Sequence, residues 1–361
     1  VSETLQRRLL VLSRYERNAA SSRLRTRQYQ PYLEAVGFDV GYAAFFDAAY
    51  LDRLYAGQRS PLSIARYYLG RARMLLPRPR VDLIWMEYEA FPYLPFAAER
   101  LFLPAGIPLV SDYDDAVFHR YDQHRLSPVR ALLGDKIDRI MAASRLVTAG
   151  NDYLAERARH AGASRVEIVP TVLDAQAYQV RPAPLPGASV VIGWVGSPST
   201  WQLHARPLLP MLDELVRDGM ACHIVGAHVA EERAGFSFLP WAEETEVEMI
   251  RRMDIGIMPL PADSWARGKC GYKLIQYMAC GLPVVASPVG VNSQIVEHGV
   301  NGFLASSAEE WIAALRTLAR NSELRMRMGQ AGRKKVEQHY SIQVEGPRVA
   351  ALLRAVADEK S

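Results

Sequence analysis

Apolar residues along this chain cluster in short runs separated by polar, helix-length segments. Leu9-Leu10-Val11-Leu12 is the first run, of the length and composition of a strand buried on both faces of a parallel sheet. A loop of small and basic residues follows, SRYERNAASSRLR, then a helix predicted to reach about Val36 and to stop at Gly37. Phe38, Val40 and Tyr42 alternate as the next strand, which makes a βαβ opening. Further buried strands are predicted at Val81–Met86, Ile107–Val110, Arg145–Gly150 and Val166–Val169, with Asn151 or Asp152 capping a helix from Tyr153 to Ala161.

The segment VRPAPLPGAS, residues 180–189, is rich in Pro and small residues and reads as a linker. It divides the chain into a first domain, 1–184, and a second, 185–342. Val190–Gly196 opens the second βα series, His223–Gly226 and Asp254–Leu260 continue it, and an acidic helix is predicted from Glu243 to Met253. The stretch from Trp265 to Leu304 reads as a glycine-flanked loop, a helix from Tyr272 to Cys280, a strand at Val284–Ser287 and a glycine-rich turn. Gly281 suits the left-handed position after that helix, and Pro283 prevents its continuation. Helices are predicted at about 308–320, 322–338 and 343–359, the last amphipathic through Val344, Val349, Leu352, Leu353 and Val356. The fold class is α/β.

Candidate chemistry gathers where loops meet strand and helix ends. Gly268-Lys269-Cys270-Gly271 feeds a helix, and such a loop turns backbone N–H groups and the positive end of the helix dipole outward, ready for phosphate. Lys269 and Lys273 add two charges there; a lysine in a first turn opposes the dipole, which an anion would repay. Gly196-Ser197 begins a second such turn. Polar groups just beyond the carboxyl ends of strands in an open α/β sheet face its ligand crevice, which singles out Glu87 and the cluster Asp112, Asp114 and Asp115. The alternative for the aspartates is helix capping, which needs one of them. Arg23 and Arg25, beside the small residues 19–22, suit phosphate or carboxylate, or a solvated helix start. Trp241 is a candidate wall for a nucleotide base or a buried packing residue.

The 361 residues suit two domains, and 49% apolar against 23% charged residues is the balance of a soluble globular protein. No apolar run approaches the ~18 residues that span a bilayer, and VSETLQRRLLVL has too short an apolar core for a signal peptide. Cys222, Cys270 and Cys280 show no CxxC spacing, against a disulfide framework or structural zinc and in keeping with a reducing cytoplasm. Cys270 reads as a small turn residue rather than a nucleophile. The net charge of +4 is unevenly placed: from Arg53 to Arg80 there are seven arginines and no acid, interleaved with Leu and Tyr. That segment is either a basic amphipathic surface for anionic lipid headgroups or a helix with a solvated arginine face. No nucleic-acid motif is present.

Taken together, the strand DIGIMPL, the unit KLIQYMACGLPVVAS, the turn HGVNGFL and the segments NDYLAE and IVPTVLD resemble glycosyltransferase family 4, retaining enzymes of the GT-B fold. The resemblance covers nearly the whole chain and is strongest over 241–340. It implies two facing Rossmann-like domains, with the helix 343–361 crossing back to complete the first. It implies a nucleotide-diphosphate sugar donor (UDP- or GDP-sugar) in the second domain, a glycan or lipid-linked acceptor at the first, no cofactor and no bound metal. By similarity the backbone from Gly268 to Gly271 meets sugar and diphosphate, Lys269 or Lys273 neutralises the leaving group, and Gln276 stands where the family has the second Glu of its E-x7-E motif, on the ribose. The first Glu falls at Gly268, which has no side chain. Gly196 and Ser197 lead a turn that lacks the family's usual Arg and Lys. Asp114 occupies the position of a first-domain site His and is expected to touch donor sugar or acceptor hydroxyl, with Asp112 or Asp115 as the fallback. The expected location is the cytoplasm, with the inner membrane face as an option through 53–80. The alternative function is a non-catalytic sugar-nucleotide-binding subunit of a glycan-assembly system, motivated by the lost carboxylates; a sugar-nucleotide epimerase is a third.

Overall fold

The computed structural model describes residues 6–17, 19–55, 61–76, 79–182, 187–227 and 232–359. The chain divides into two compact units, Val1–Thr171 with Glu345–Ser361, and Val172–Val344.

The first unit is built on strands β1 (Arg7–Tyr15), β2 (Phe38–Phe46), β3 (Leu83–Glu87), β4 (Leu109–Tyr113), β5 (Leu146–Ala149) and β6 (Val166–Ile168). They pair in the order β2-β1-β3-β4-β5-β6, every pair parallel. β1 is longer than its apolar run because its register with β2 continues to Tyr15↔Phe46. Every residue of β3 and of β5 is buried, which is why those strands read as continuous apolar runs rather than alternations. The direction of winding reverses between β1 and β3, so the crevice of this sheet opens beyond the carboxyl ends of β1, β3 and β4. The loop after β1 is shorter than expected: a helix already begins at Ala20 and runs to Arg25, followed by a single 3-10 turn and the helix Gln30–Ala35. Asn151 does cap the helix Asp152–His160, its side chain accepting from Leu154 N.

The second unit holds β7 (Val191–Val195), β8 (Ala221–Val225), β9 (Phe236–Leu239), β10 (Ile255–Met258), β11 (Val284–Ala286) and β12 (Gly302–Leu304), in the order β12-β11-β10-β7-β8-β9 and again all parallel. Its winding reverses between β7 and β10. Alternate residues serve opposite cores: Val284 and Ala286 pack with Leu274 and Tyr277, whereas Val285 packs with Trp194, Ile257 and Trp311 on the other face. β12 falls where the sequence signals a turn, because Asn301-Gly302 leads straight into a three-residue strand paired to β11.

One boundary differs from expectation. The division falls at Thr171/Val172 and not at 184/185, because the segment from Val172 onward is fastened to the second unit: Leu173 N donates to Tyr340 O, Arg181 N donates to Cys280 O at 2.9 Å, and Arg181 pairs with Asp254 at 2.5 Å. Part of the proline-rich stretch expected as the linker, 183–186, lies outside the described residues. The last helix, Ile342–Asp358, belongs to the first unit from Glu345 onward.

Candidate active site

In the second unit, β7 delivers Gly196 and Ser197 to the crevice. Ser197 caps the single turn Pro198–Thr200, its Oγ accepting from Thr200 N at 3.3 Å. Backbones crowd here: a Cβ on Gly226, whose φ is +85°, would lie 2.2 Å from Gly196 O. Beyond β10 the chain forms a short helix, Ser264–Arg267, where the sequence suggested only loop. That helix uses two of the amides expected to face the ligand, since Gly268 N donates to Trp265 O and Lys269 N to Ala266 O. Gly271, at φ +67°, then starts the helix Tyr272–Ala279; a side chain there would meet Ile295 Cδ1 at 2.3 Å. Cys270 is half-buried, with Sγ 3.9 Å from Gly268 O.

Two cations stand at the start of this helix. The Lys273 ammonium lies 5.4 Å from the centroid of the Trp194 ring and makes no ion pair among the described residues, and Lys269 lies 5.9 Å from the Trp265 ring. Burial, and then repulsion from Lys269, bring the Lys273 pKa down to about 8. Trp241, just past β9, is 40% exposed, so it is not a buried packing residue. Its indole N–H donates to Glu246 Oε2 at 2.6 Å. The same carboxylate takes hydrogen bonds from Tyr178 Oη at 3.1 Å and Gln276 Nε2 at 2.5 Å. Gln276 is almost fully buried, with its amide also donating to Tyr178 at 3.0 Å. Its donor nitrogen is thereby committed to the protein, which leaves only its carbonyl oxygen for a ligand. Neither Glu246 nor Tyr178 was foreseen: Glu246 lies in a run of acids, and Tyr178 is close to it only through the fold.

In the first unit the expected acidic cluster separates into three roles. Asp112 and Arg25 form a bidentate pair, 2.9 and 2.7 Å, each about 1% exposed. Thr148 Oγ1 also donates to Asp112, and Arg25 donates to Val169 O at 2.7 Å. Both were expected on the acceptor side; this pairing instead places them in the interior, where Asp112 holds Arg25 and ties β4 to the segment after β6. Asp115 accepts from Ala116 N at 3.0 Å, closing the local turn. Asp114 is half-buried and accepts from Tyr88 Oη, while burial raises its pKa. Tyr88 has φ +61°, a costly conformation for a residue with a Cβ, of the kind that gathers at functional sites. Glu87 is 1% exposed and its pKa is raised to about 7, first by burial and then by the charge of Asp114. Arg23 is half-buried on the helix Ala20–Arg25.

The arginine-rich segment forms two helices, Ala48–Tyr55 and Pro61–Leu75. Arg66, Leu69, Arg73 and Leu76 are exposed at helical spacing. Arg71 is not part of that surface: it is buried and donates to Ser13 O and Ala43 O, both at 3.1 Å. Arg59 and Arg78 lie outside the described residues. No helix among the described residues is long and apolar enough to cross a membrane, and none of their acidic, His and Cys side chains form a group of three or more that could hold a metal ion.

Two parallel six-stranded sheets, each with its crevice at a winding reversal, are the architecture of solved GT-B glycosyltransferases. HepE of Anabaena, solved with UDP, superposes with a TM-score of 0.70 at 17% identity over 97% of this chain and all of its own. Sucrose-phosphate synthase of Thermosynechococcus elongatus gives 0.68 at 14% identity over 97% of this chain and 99% of its own. A glycosyltransferase of Rickettsia africae gives 0.70 at 11% identity over 98% of this chain and all of its own. The protein thus has the GT-B fold. Residues 189–321, within the second unit, match the family model of glycosyl transferases group 1. No curated protein sequence matches the chain.

Proposed function

We propose that the enzyme moves a sugar, with retention at the anomeric carbon, from a nucleotide-diphosphate sugar to a glycan or lipid-linked glycan. The observation that carries the donor half is Lys273: an ammonium half-buried against Trp194, without an anionic partner among the described residues, at the start of a helix that already attracts anions. A diphosphate there is stabilised most when it departs, where fixed positive groups lower the barrier most effectively. Lys269 stands beside it. Trp241, its indole edge held by Glu246, offers a ring face to the base. Gln276 offers its carbonyl oxygen to a ribose hydroxyl. Gly196, Ser197, Gly268, Cys270 and Gly271 are the remaining residues of this donor site, around the sugar and phosphates.

In the first unit Asp114 is the residue for the reacting acceptor or sugar hydroxyl. Arg23 and Asp115 complete the acceptor side, with Glu87 buried beside Asp114. UDP is the favoured nucleotide, because HepE was solved with UDP and with UDP-glucose. The exposed stripe Arg66, Leu69, Arg73 and Leu76 is read as the contact with an anionic membrane surface, which a lipid-linked acceptor would require.

A thermal-shift panel of UDP, GDP, ADP and their sugars tests the donor assignment. A ligand at ~100 times its dissociation constant stabilises by about 2.7 kcal/mol. Absence of a shift with every nucleotide sugar would refute it. The non-catalytic alternative predicts the same shift with no turnover of the bound sugar.

A further inference from the structure

Glu87 closes β3 beside Asp114, and its two carboxyl oxygens live in different surroundings. Oε2 accepts from Ser22 Oγ at 2.8 Å and from Arg14 N at 3.2 Å. Oε1 is buried and has no hydrogen-bond partner. An ionised carboxylate would leave a charged oxygen unsolvated at Oε1. A protonated one puts the carbonyl oxygen at Oε2, where two donors meet it, and the hydroxyl at Oε1. Tyr88, the next residue, is turned by its positive φ so that its phenol donates to Asp114, a contact that stabilises the ionised form of that carboxyl.

We propose that Glu87 and Asp114 act as a pair holding one proton, with Glu87 the neutral member and Asp114 the ionised one that meets the acceptor hydroxyl. Glu87 is therefore a positioning residue: it touches no substrate, and its neutrality keeps a second negative charge away from Asp114. This rests on the reading of Asp114 given above. The groups facing Glu87 are consistent with it. Asp112 is neutralised by Arg25, Asp114 is the strongest charge acting on it, and from β1 and the helix Ala20–Arg25 it receives only the Arg14 amide and the Ser22 hydroxyl. Arg71, in the helix Pro61–Leu75, is a buried cation on which Glu99 acts more strongly than Glu87, and its Nη2 donates to the carbonyls of Ser13 and Ala43. Burial and Asp114 together lift the Glu87 pKa from its ordinary 4.5 to about 7.

The sign follows directly. The folded carboxyl keeps its proton to higher pH than the unfolded one, so its stabilising contribution is complete below about pH 4.5 and is lost as pH rises to about 7. Urea unfolding of the wild-type chain and of Glu87→Gln, from pH 5 to 8.5 without ligand, reads this alone. The folding constant of the wild type should fall relative to the variant by about tenfold per pH unit up to about pH 7, then run parallel. Parallel curves throughout would overturn the proton assignment. If the variant does not fold, a 13C-carboxyl glutamate titration of the wild type decides instead: a buried carboxyl titrating near pH 7 is expected, and none above pH 5 overturns it. The second arm is turnover of UDP-glucose with glucose as acceptor probe. Wild-type turnover should decline above pH 7, with the decline absent in Glu87→Gln and the apparent KM for UDP-glucose unchanged. Identical declines would overturn the coupling. Full turnover by Asp114→Asn would instead sink the reading of Asp114, and the unfolding arm would still decide the state of Glu87.

Discussion

The two crevices make an instructive pair. Both lie beyond the carboxyl ends of six parallel strands at a reversal of winding, yet one has the half-buried carboxyl of Asp114 and the other the ammonium groups of Lys269 and Lys273. The acidic crevice of the first unit has Asp114 and Glu87 beside a strained Tyr88; the basic one has Lys269 and Lys273 at a helix start. Backbone topology accounts for where each crevice lies, and side chains alone account for its sign. A second contrast sits inside the acidic crevice. Asp112 and Asp114 are two residues apart, but Asp112 is consumed by a buried ion pair with Arg25 while Asp114 stays half-buried.

That contrast can be broken by mutation, and the largest effect should be structural. Asp112→Ala leaves the Arg25 guanidinium buried without its carboxylate, at a cost of about 3–5 kcal/mol in urea unfolding. Asp114→Asn should leave stability nearly intact. Lys273→Ala comes next: loss of a charge-assisted contact to a diphosphate, about 2–3 kcal/mol, should weaken UDP binding some tens to a hundredfold in calorimetry. Its pH dependence sharpens the point. A diphosphate favours the protonated amine, so nucleotide affinity should hold below pH 8 and fall as pH rises past the free-enzyme pKa of about 8. The variant should show no such decline. Asp114→Asn should lower turnover by about a hundredfold, the scale of a single positioned acid or base, while leaving UDP affinity within twofold. Equal losses in turnover and UDP binding would mean that the acidic crevice also holds the donor. Smallest is Trp241→Ala, for which loss of stacking on one base should cost about 1–2 kcal/mol of UDP affinity, with no change in the affinity for pyrophosphate.

Much of the architecture was legible along the chain because burial on both faces of a parallel strand leaves a short continuous apolar run, here bounded by turn and helix signals. The strands from Leu9, Leu83, Val191, Ile255 and Val284 are all of this type. β12 was missed since three residues behind Asn-Gly carry more turn signal than strand signal. The domain boundary was displaced for a similar reason: proline-rich composition marks an irregular segment, whereas the actual division depends on Leu173 and Arg181 finding partners far along the chain.

The candidate site divides along the same line. That Lys269 and Lys273 flank a helix start, and that carboxyls end the strands of the first unit, follows from spacing, because a helix start and a strand end are local events. The partners of those residues are not local. Arg25 reaches Asp112 across 87 positions, Gln276 reaches Tyr178 across 98, and Glu246 gathers Trp241, Tyr178 and Gln276 into one network. Whether a carboxyl is an interior ion-pair partner, a proton-holding neighbour or a group open to substrate depends on which donors surround it and how much water it keeps. The sequence by itself therefore determined the kind of sheet, the order of its units and the places where chemistry gathers. Only the tertiary structure decided which of Asp112, Asp114 and Glu87 is ion-paired, half-buried or fully buried, because desolvation and pairing are properties of neighbours that the chain brings together only by folding.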